Sequence, residues 1–217
     1  RSSRAEIEIL NPGEIGKLLA VIDRRYRLAL LTCVLTGMRA GELWALQWPD
    51  IDFEALQIHV RRSLWRGRFQ TPKSRSSTRR IDIPERLAHE LKKWKLACPP
   101  NEHDLVFPNG DGKPACHDNF VRRYFEPALN RAGLKKVCFH SLRHWNATMR
   151  IAAGQNIKLI QTQLGHSSVK ITLDFYGHLF SDPSFNRQQV KLLETSLDLA
   201  KIPIEKPVLQ ISGAASI

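Results

Sequence analysis

The stretch that decides the fold runs from His140-Ser141-Leu142-Arg143-His144, through Leu164-Gly165-His166-Ser167-Ser168, to Leu173-Asp174-Phe175-Tyr176-Gly177-His178. His140 and Arg143 are three apart, so on a helix they share a face and can reach one anion. In the first turn of such a helix, the N-terminal dipole favours the same anion. Gly165 reads as a helix stop and Ser167 as the cap of the next helix, which sets His166 in a defined turn. Apolar spacing predicts helices near 141–153, 156–164 and 168–174. Taken singly, each of these residues has an ordinary reading. An HxxR pair decorates a helix surface, His166 sits near a cap, and Tyr176 belongs to an apolar stripe with Phe175. The fixed order of all of them points elsewhere.

Working outward, Asn11-Pro12-Gly13-Glu14 has the form of a helix start: Asn caps, Pro fits the first turn, and Glu completes a capping box. Asp23 starts a second helix through Leu28 to Leu35, with Gly37 as its stop. Arg39, in Thr36-Gly37-Met38-Arg39-Ala40-Gly41-Glu42-Leu43, therefore falls just past a helix end. A short helix then carries Glu42, Leu43 and Leu46. The period changes next: Ile51 and Phe53, then Leu56, Ile58 and Val60, then Ile81 and Ile83 alternate as strands do. They predict a three-stranded antiparallel sheet with a long hairpin between residues 61 and 80. Helices resume at Leu87, Leu91 and Trp94, and again at Phe120, Val121, Tyr124, Phe125 and Ala128, where Pro127 kinks or divides the element. A last helix, 185–200, aligns Val190, Leu193, Leu197 and Ala200, and an irregular tail follows. The fold class is mainly α with a small antiparallel β-sheet.

The net charge of +12 over 217 residues points to a polyanionic partner, with nucleic acid first. The charge is not spread evenly. The hairpin 61–80 holds Arg61, Arg62, Arg66, Arg68, Lys73, Arg75, Arg79 and Arg80 and no carboxylate. Such a segment repels itself unless an anion fills it, so all of these are candidate DNA contacts. Cys33, Cys98, Cys116 and Cys138 are scattered with no C-x-x-C pair, which gives no zinc ribbon or redox motif. Cys138 with His140 lacks a second ligand pair at suitable spacing. No apolar run reaches the length of a membrane span, and no signal-peptide pattern opens the chain.

Arg39, Lys73 within Thr71-Pro72-Lys73-Ser74-Arg75, His140, Arg143, His166 and Tyr176, in this order and in these local frames, resemble the tyrosine recombinase (phage integrase) family over roughly residues 7–185. The resemblance implies a catalytic-domain fold over 1–184. It implies a C-terminal helix and tail over 185–217, either packed on their own domain or exchanged between subunits, and it leaves the family's N-terminal DNA-clamping domain outside this chain. It implies site-specific recombination of double-stranded DNA through a 3′-phosphotyrosine, in a tetrameric synapse, with no metal, ATP or other cofactor, in the bacterial cytoplasm at the nucleoid. Arg39 and Arg143 would clamp the phosphate, because arginine forks onto two oxygens and keeps its proton. His140 would handle protons and His166 would bond a non-bridging oxygen. Lys73 would protonate the leaving 5′ oxygen, Tyr176 would attack, and Glu42 would support Arg39. Trp145 and Ser141 depart from the family pattern, where a small and an acidic residue are commoner. The rival readings are a type IB topoisomerase-like enzyme and a catalytically inactive DNA-binding regulator on the same fold.

Overall fold

A computed structural model describes residues 8–71 and 78–176, together with 187, 190 and 191. The chain divides into two units, Arg1–Leu179 and Phe180–Ile217. Of the second, Arg187, Val190 and Lys191 are helical. The rest of the expected helix 185–200 and its tail lie outside the described residues.

The first unit opens with α1 (Pro12–Val21), whose Asn11 side chain accepts from the Glu14 amide at 2.9 Å while Glu14 answers to the Asn11 amide at 2.7 Å. Asp23 caps α2 (Arg24–Thr36), which ends on Gly37 at φ 65°. That left-handed conformation favours glycine, and a Cβ there would also strike Leu164 and Asn146. Three residues later α3 (Ala40–Trp44) begins, with Arg39 extended at its N-cap.

Strands β1 (Ile51–Asp52), β2 (Gln57–Val60) and β5 (Arg79–Asp82) form the expected antiparallel sheet, in the order β1-β2-β5. The segment between β2 and β5 is not one long hairpin of this sheet. It contains a separate two-stranded pair, β3 (Ser63–Trp65) with β4 (Arg68–Gln70), joined through Arg66 and Gly67, both at positive φ. The root of that pair rests on α3, where a Cβ at Gly41 would lie 2.5 Å from Ser63 Oγ.

Register on the main sheet sets what faces inward. Val60 lies opposite Arg79, and Ile58 opposite Ile81. Because strand side chains alternate, Arg79 and Ile81 share the buried face, while Arg80 and Asp82 face solvent.

Helix α4 (Glu85–Ala97) follows, then α5 (His117–Phe120), a π-helical turn (Val121–Phe125) and α6 (Glu126–Arg131). The division expected at Pro127 occurs in this form, with proline near the start of α6 where its missing N–H costs least. An aromatic cluster fills the space below. Phe139 meets Phe125 at 5.4 Å and Phe120 at 5.6 Å, edge to face. Burying Phe139 stabilises by about 1.5–3 kcal/mol, and it fixes the chain one residue before His140. Three further helices complete the unit: α7 (Ser141–Ala152), α8 (Ile157–Leu164) and α9 (Val169–Tyr176). The cap before α9 falls one residue later than the sequence pattern gives, since the helix begins at Val169.

Candidate active site

Helix α8 ends on Gly165 at φ 70°. A helix end leaves carbonyl oxygens without intrahelical partners, and carries partial negative charge. Here three successive carbonyls each receive an arginine from a different part of the chain. Gln163 O accepts from Arg79 Nε at 2.7 Å, Leu164 O from Arg143 Nη2 at 2.7 Å, and Gly165 O from Arg39 Nη2 at 3.0 Å. Hydrogen bonds to charged groups of this kind contribute about 1.5–3 kcal/mol each. A strand, a helix and a loop are thereby registered against one another by their cations. Glycine is required at 165 for a second reason: a Cβ there would lie 2.9 Å from Arg79 Cδ.

Arg143 is buried, and its Nη1 also donates to Gly37 O at 2.7 Å. Two glycine-terminated helix ends, those of α2 and α8, thus fix the plane of one guanidinium. Asn146, one turn along α7, secures the first of them by donating to Val34 O at 2.9 Å and Leu35 O at 3.0 Å. Arg39 is 40% exposed, the most open of the three arginines. Its backbone N–H donates to Glu42 Oε2 at 2.8 Å and its Nη1 to Glu42 Oε1 at 2.9 Å. Glu42 is buried and is held in turn by Arg79, Nη1 to Oε1 at 2.9 Å and Nη2 to Oε2 at 2.8 Å. Burial alone would raise the Glu42 pKa, but the guanidiniums of Arg79 and Arg39 outweigh it and bring it down to about 2.

His140 sits at the start of α7, as its spacing to Arg143 requires, and meets His144 edge to face at 4.8 Å. Loss of water from the ring and the charges of His144, Arg143 and Arg39 push its pKa down to about 4. The residue stays exposed along one side, so an incoming anion can reach the ring. His166 follows Gly165 in the tight turn, with Nδ1 2.9 Å from Thr172 Oγ1 of α9. Burial, then Arg143, Arg39 and Arg79, push its pKa down to about 3. Among the described residues this centre gathers three guanidiniums, two of them on one carboxylate and the third on backbone carbonyls, with two imidazoles held neutral beside them. Such a place attracts one more anion.

Of the expected site residues, Arg39, Glu42, His140, Arg143 and His166 meet here. Tyr176 is the last residue of α9, which packs against α8, and its side chain lies outside the description. Lys73 and Arg75 lie outside the described residues. Arg61, Arg66, Arg68 and Arg80 are exposed on the sheet and hairpin. Arg62 is drawn onto the buried Asp50. Arg79 is a correction. Expected among the DNA contacts, it is 7% exposed and its Nε, Nη1 and Nη2 are turned inward. The sequence held the signal, for Arg79 has the same strand parity as Ile81 and Ile83. Asn146, Gln163 and Thr172 were missed, since a lone amide or hydroxyl on a helix gives no pattern.

The Phage integrase family matches residues 8–182. The ICEBs1 integrase of Bacillus subtilis is 33% identical over 195 residues, 82% of this chain and 52% of its own length. A XerC-like tyrosine recombinase of Caldanaerobacter subterraneus is 30% identical, over 89% of this chain and 55% of its own. The chain therefore spans about half the length of these curated relatives. Among solved structures, the Tn1549 transposon integrase in complex with a circular intermediate DNA superposes with a TM-score of 0.75 at 22% identity, covering 89% of this chain and 68% of the other. The catalytic domain of bacteriophage HP1 integrase gives 0.59 at 24% identity, over 88% of this chain and 98% of the other. At such identities the likeness is one of fold.

Proposed function

This chain belongs to the phage integrase family, and from that premise we propose that it carries the strand-cleaving and rejoining centre of a site-specific recombinase serving a mobile DNA element. The observation that carries the reading is the set of arginines from three elements held on the last carbonyls of α8, beside two neutral histidines. Phosphodiester transfer concentrates negative charge on the non-bridging oxygens. Fixed donors stabilise that charge without reorganising during the reaction.

Arg39 and Arg143 are the proposed clamp on the scissile phosphate, and His166 bonds a non-bridging oxygen. His140, neutral before DNA arrives, takes or relays the proton of the Tyr176 phenol, whose ordinary pKa of about 10 keeps it unreactive alone. The Tyr176 oxygen forms a bond to phosphorus, the bond to the 5′ oxygen breaks, and Lys73 gives that oxygen its proton. The 3′-phosphotyrosine keeps the bond energy, so the reverse attack by a 5′ hydroxyl needs neither ATP nor metal. A tetrameric synapse on double-stranded DNA, with residues beyond 185 docked between subunits, completes the proposal.

The test is a nicked suicide duplex from which the 5′ fragment diffuses away. The wild-type chain accumulates a denaturation-resistant protein–DNA adduct. Tyr176→Phe gives none, with DNA affinity nearly unchanged because no charge is removed. A normal adduct yield from the phenylalanine variant contradicts the assignment, and no adduct from the wild type returns the chain to the DNA-binding regulator. Lys73→Ala cleaves normal DNA slowly and recovers on a 5′-bridging sulfur substrate, whose leaving group needs no proton. Equal defects on both substrates would limit Lys73 to binding.

A further inference from the structure

Arg79 stands apart from the other arginines of the site because its guanidinium faces the protein. Nε reaches Gln163 O, and the two Nη groups fork onto both oxygens of Glu42. The same two carboxylate oxygens hold Arg39, one at its backbone N–H and one at its guanidinium. Glu42 thus grips Arg39 at two points, and Arg79 grips Glu42 at two points. The planar fork is what permits this, and an ammonium could not reproduce it.

The location of Arg79 adds a second link. It opens β5, the first strand after the segment that carries Lys73. Gln163 ties that strand down again: its side-chain Oε1 accepts from the Asp82 backbone N–H at 3.0 Å, and its Nε2 donates to Asp82 Oδ2 at 2.6 Å. Gln163 and Arg79 together fasten β5 to the end of α8, two residues before His166. Gly165 accepts this close approach only because it has no side chain.

We infer that Arg79 is a positioning residue of the reaction, which sets the Arg39 guanidinium through Glu42 and registers it with the strand that follows the Lys73 segment, and that it takes no part in holding DNA. This rests on the reading of the site given above and names one more residue on which that site depends. Losing the fork should leave phosphate attraction intact and slow the chemical step, because Arg39 would no longer be held where charge develops.

The experiment is a double-mutant cycle on the full chain, read as single-turnover cleavage of the nicked duplex at saturating protein, with DNA Kd measured beside it. Arg79→Lys keeps the charge and loses the fork. It should slow cleavage by about tenfold or more while Kd stays within about threefold of wild type. Placed on Arg39→Ala it should add less than about twofold, because its effect passes through Arg39. Glu42→Gln, close in shape, should behave in the same way and carries the test if the lysine variant does not melt cooperatively. Losses that multiply fully with Arg39→Ala, or a Kd that weakens in step with the rate, would overturn the positioning role. A wild-type chain that forms no adduct would instead overturn the reading of the site, so the two failures are told apart.

Discussion

Arg79 and Arg80 are neighbours in one strand, carry the same charge, and live in opposite surroundings. Arg79 is turned inward onto Glu42 and the end of α8, and Arg80 faces water. The contrast extends to two regions. The inner group, Arg39, Arg79 and Arg143, is held by carbonyls and a carboxylate at 2.7–3.0 Å. The outer group, Arg61, Arg66, Arg68 and Arg80, is exposed on the sheet and the β3–β4 pair. Fixed charges in a partly desolvated centre are suited to a transition state, whereas charges in water are suited to counterion exchange. A run of cations in sequence can thus divide between two surroundings at every second residue.

The largest expected effects fall on the inner group. Arg143→Ala should lower single-turnover cleavage by at least about 10²-fold, as the loss of one fixed donor does in other enzymes. It should also cost stability, because the carbonyls of Gly37 and Leu164 lose buried donors, at about 1–3 kcal/mol for a group left unsatisfied. Arg39→Ala should lose rate to a similar extent with a smaller fall in Tm, since its side chain is 40% exposed. Rates near wild type in either variant would remove that residue from the clamp and break the distinction between the regions.

The distinction was partly legible in the sequence. Caps such as Asn11 with Glu14, and glycine stops at 37 and 165, announce themselves through backbone preferences that hold locally. HxxR spacing announces a helix start, with His140 at the cap of α7 and Arg143 in its first turn. Charge summed along 61–80 carries no direction, whereas strand parity with Ile81 turns Arg79 inward. The carbonyl triplet of α8 was not legible at all. Backbone oxygens have no sequence signature, and the arginines that find them come from positions 39, 79 and 143. Only tertiary packing of α8 against β5 and α7 brings them together.

Acid should affect the inner group in two stages. His140 and His166 are lowered from 6.5 to about 4 and about 3. The unfolded chain therefore takes up their protons first, and the stability tied to the neutral rings is complete above about pH 6.5 and lost as pH falls toward 4 and 3. Glu42, lowered from 4.5 to about 2, adds stability that is complete above about 4.5 and lost as pH falls toward 2. Thermal unfolding across this range should show Tm falling below pH 6.5 and falling further below 4.5. A bound phosphate favours the imidazolium form, so DNA binding near about pH 5.5 should take up protons. Calorimetric titrations in two buffers of different ionisation enthalpy measure that uptake. An uptake of zero would mean that the histidines do not sense the phosphate.

The smallest effects belong to the outer group. Arg66→Ala and Arg68→Ala should each weaken binding to any sequence and reduce the slope of log K against log salt by about 0.9 for each phosphate no longer neutralised. An unchanged slope in both would place the DNA path away from the β3–β4 pair.

The most direct test sets one variant of each region side by side: Arg39→Ala, and the pair Arg66→Ala with Arg68→Ala, on the same nicked duplex. For each, DNA Kd and the single-turnover rate of adduct formation at saturating protein are measured. The expected result is a crossed one. The inner variant loses at least about 10²-fold in rate with Kd near wild type, and the outer pair loses affinity with its saturated rate near wild type. A hairpin variant that stays slow at saturation, or an Arg39 variant that loses affinity alone, would contradict the account.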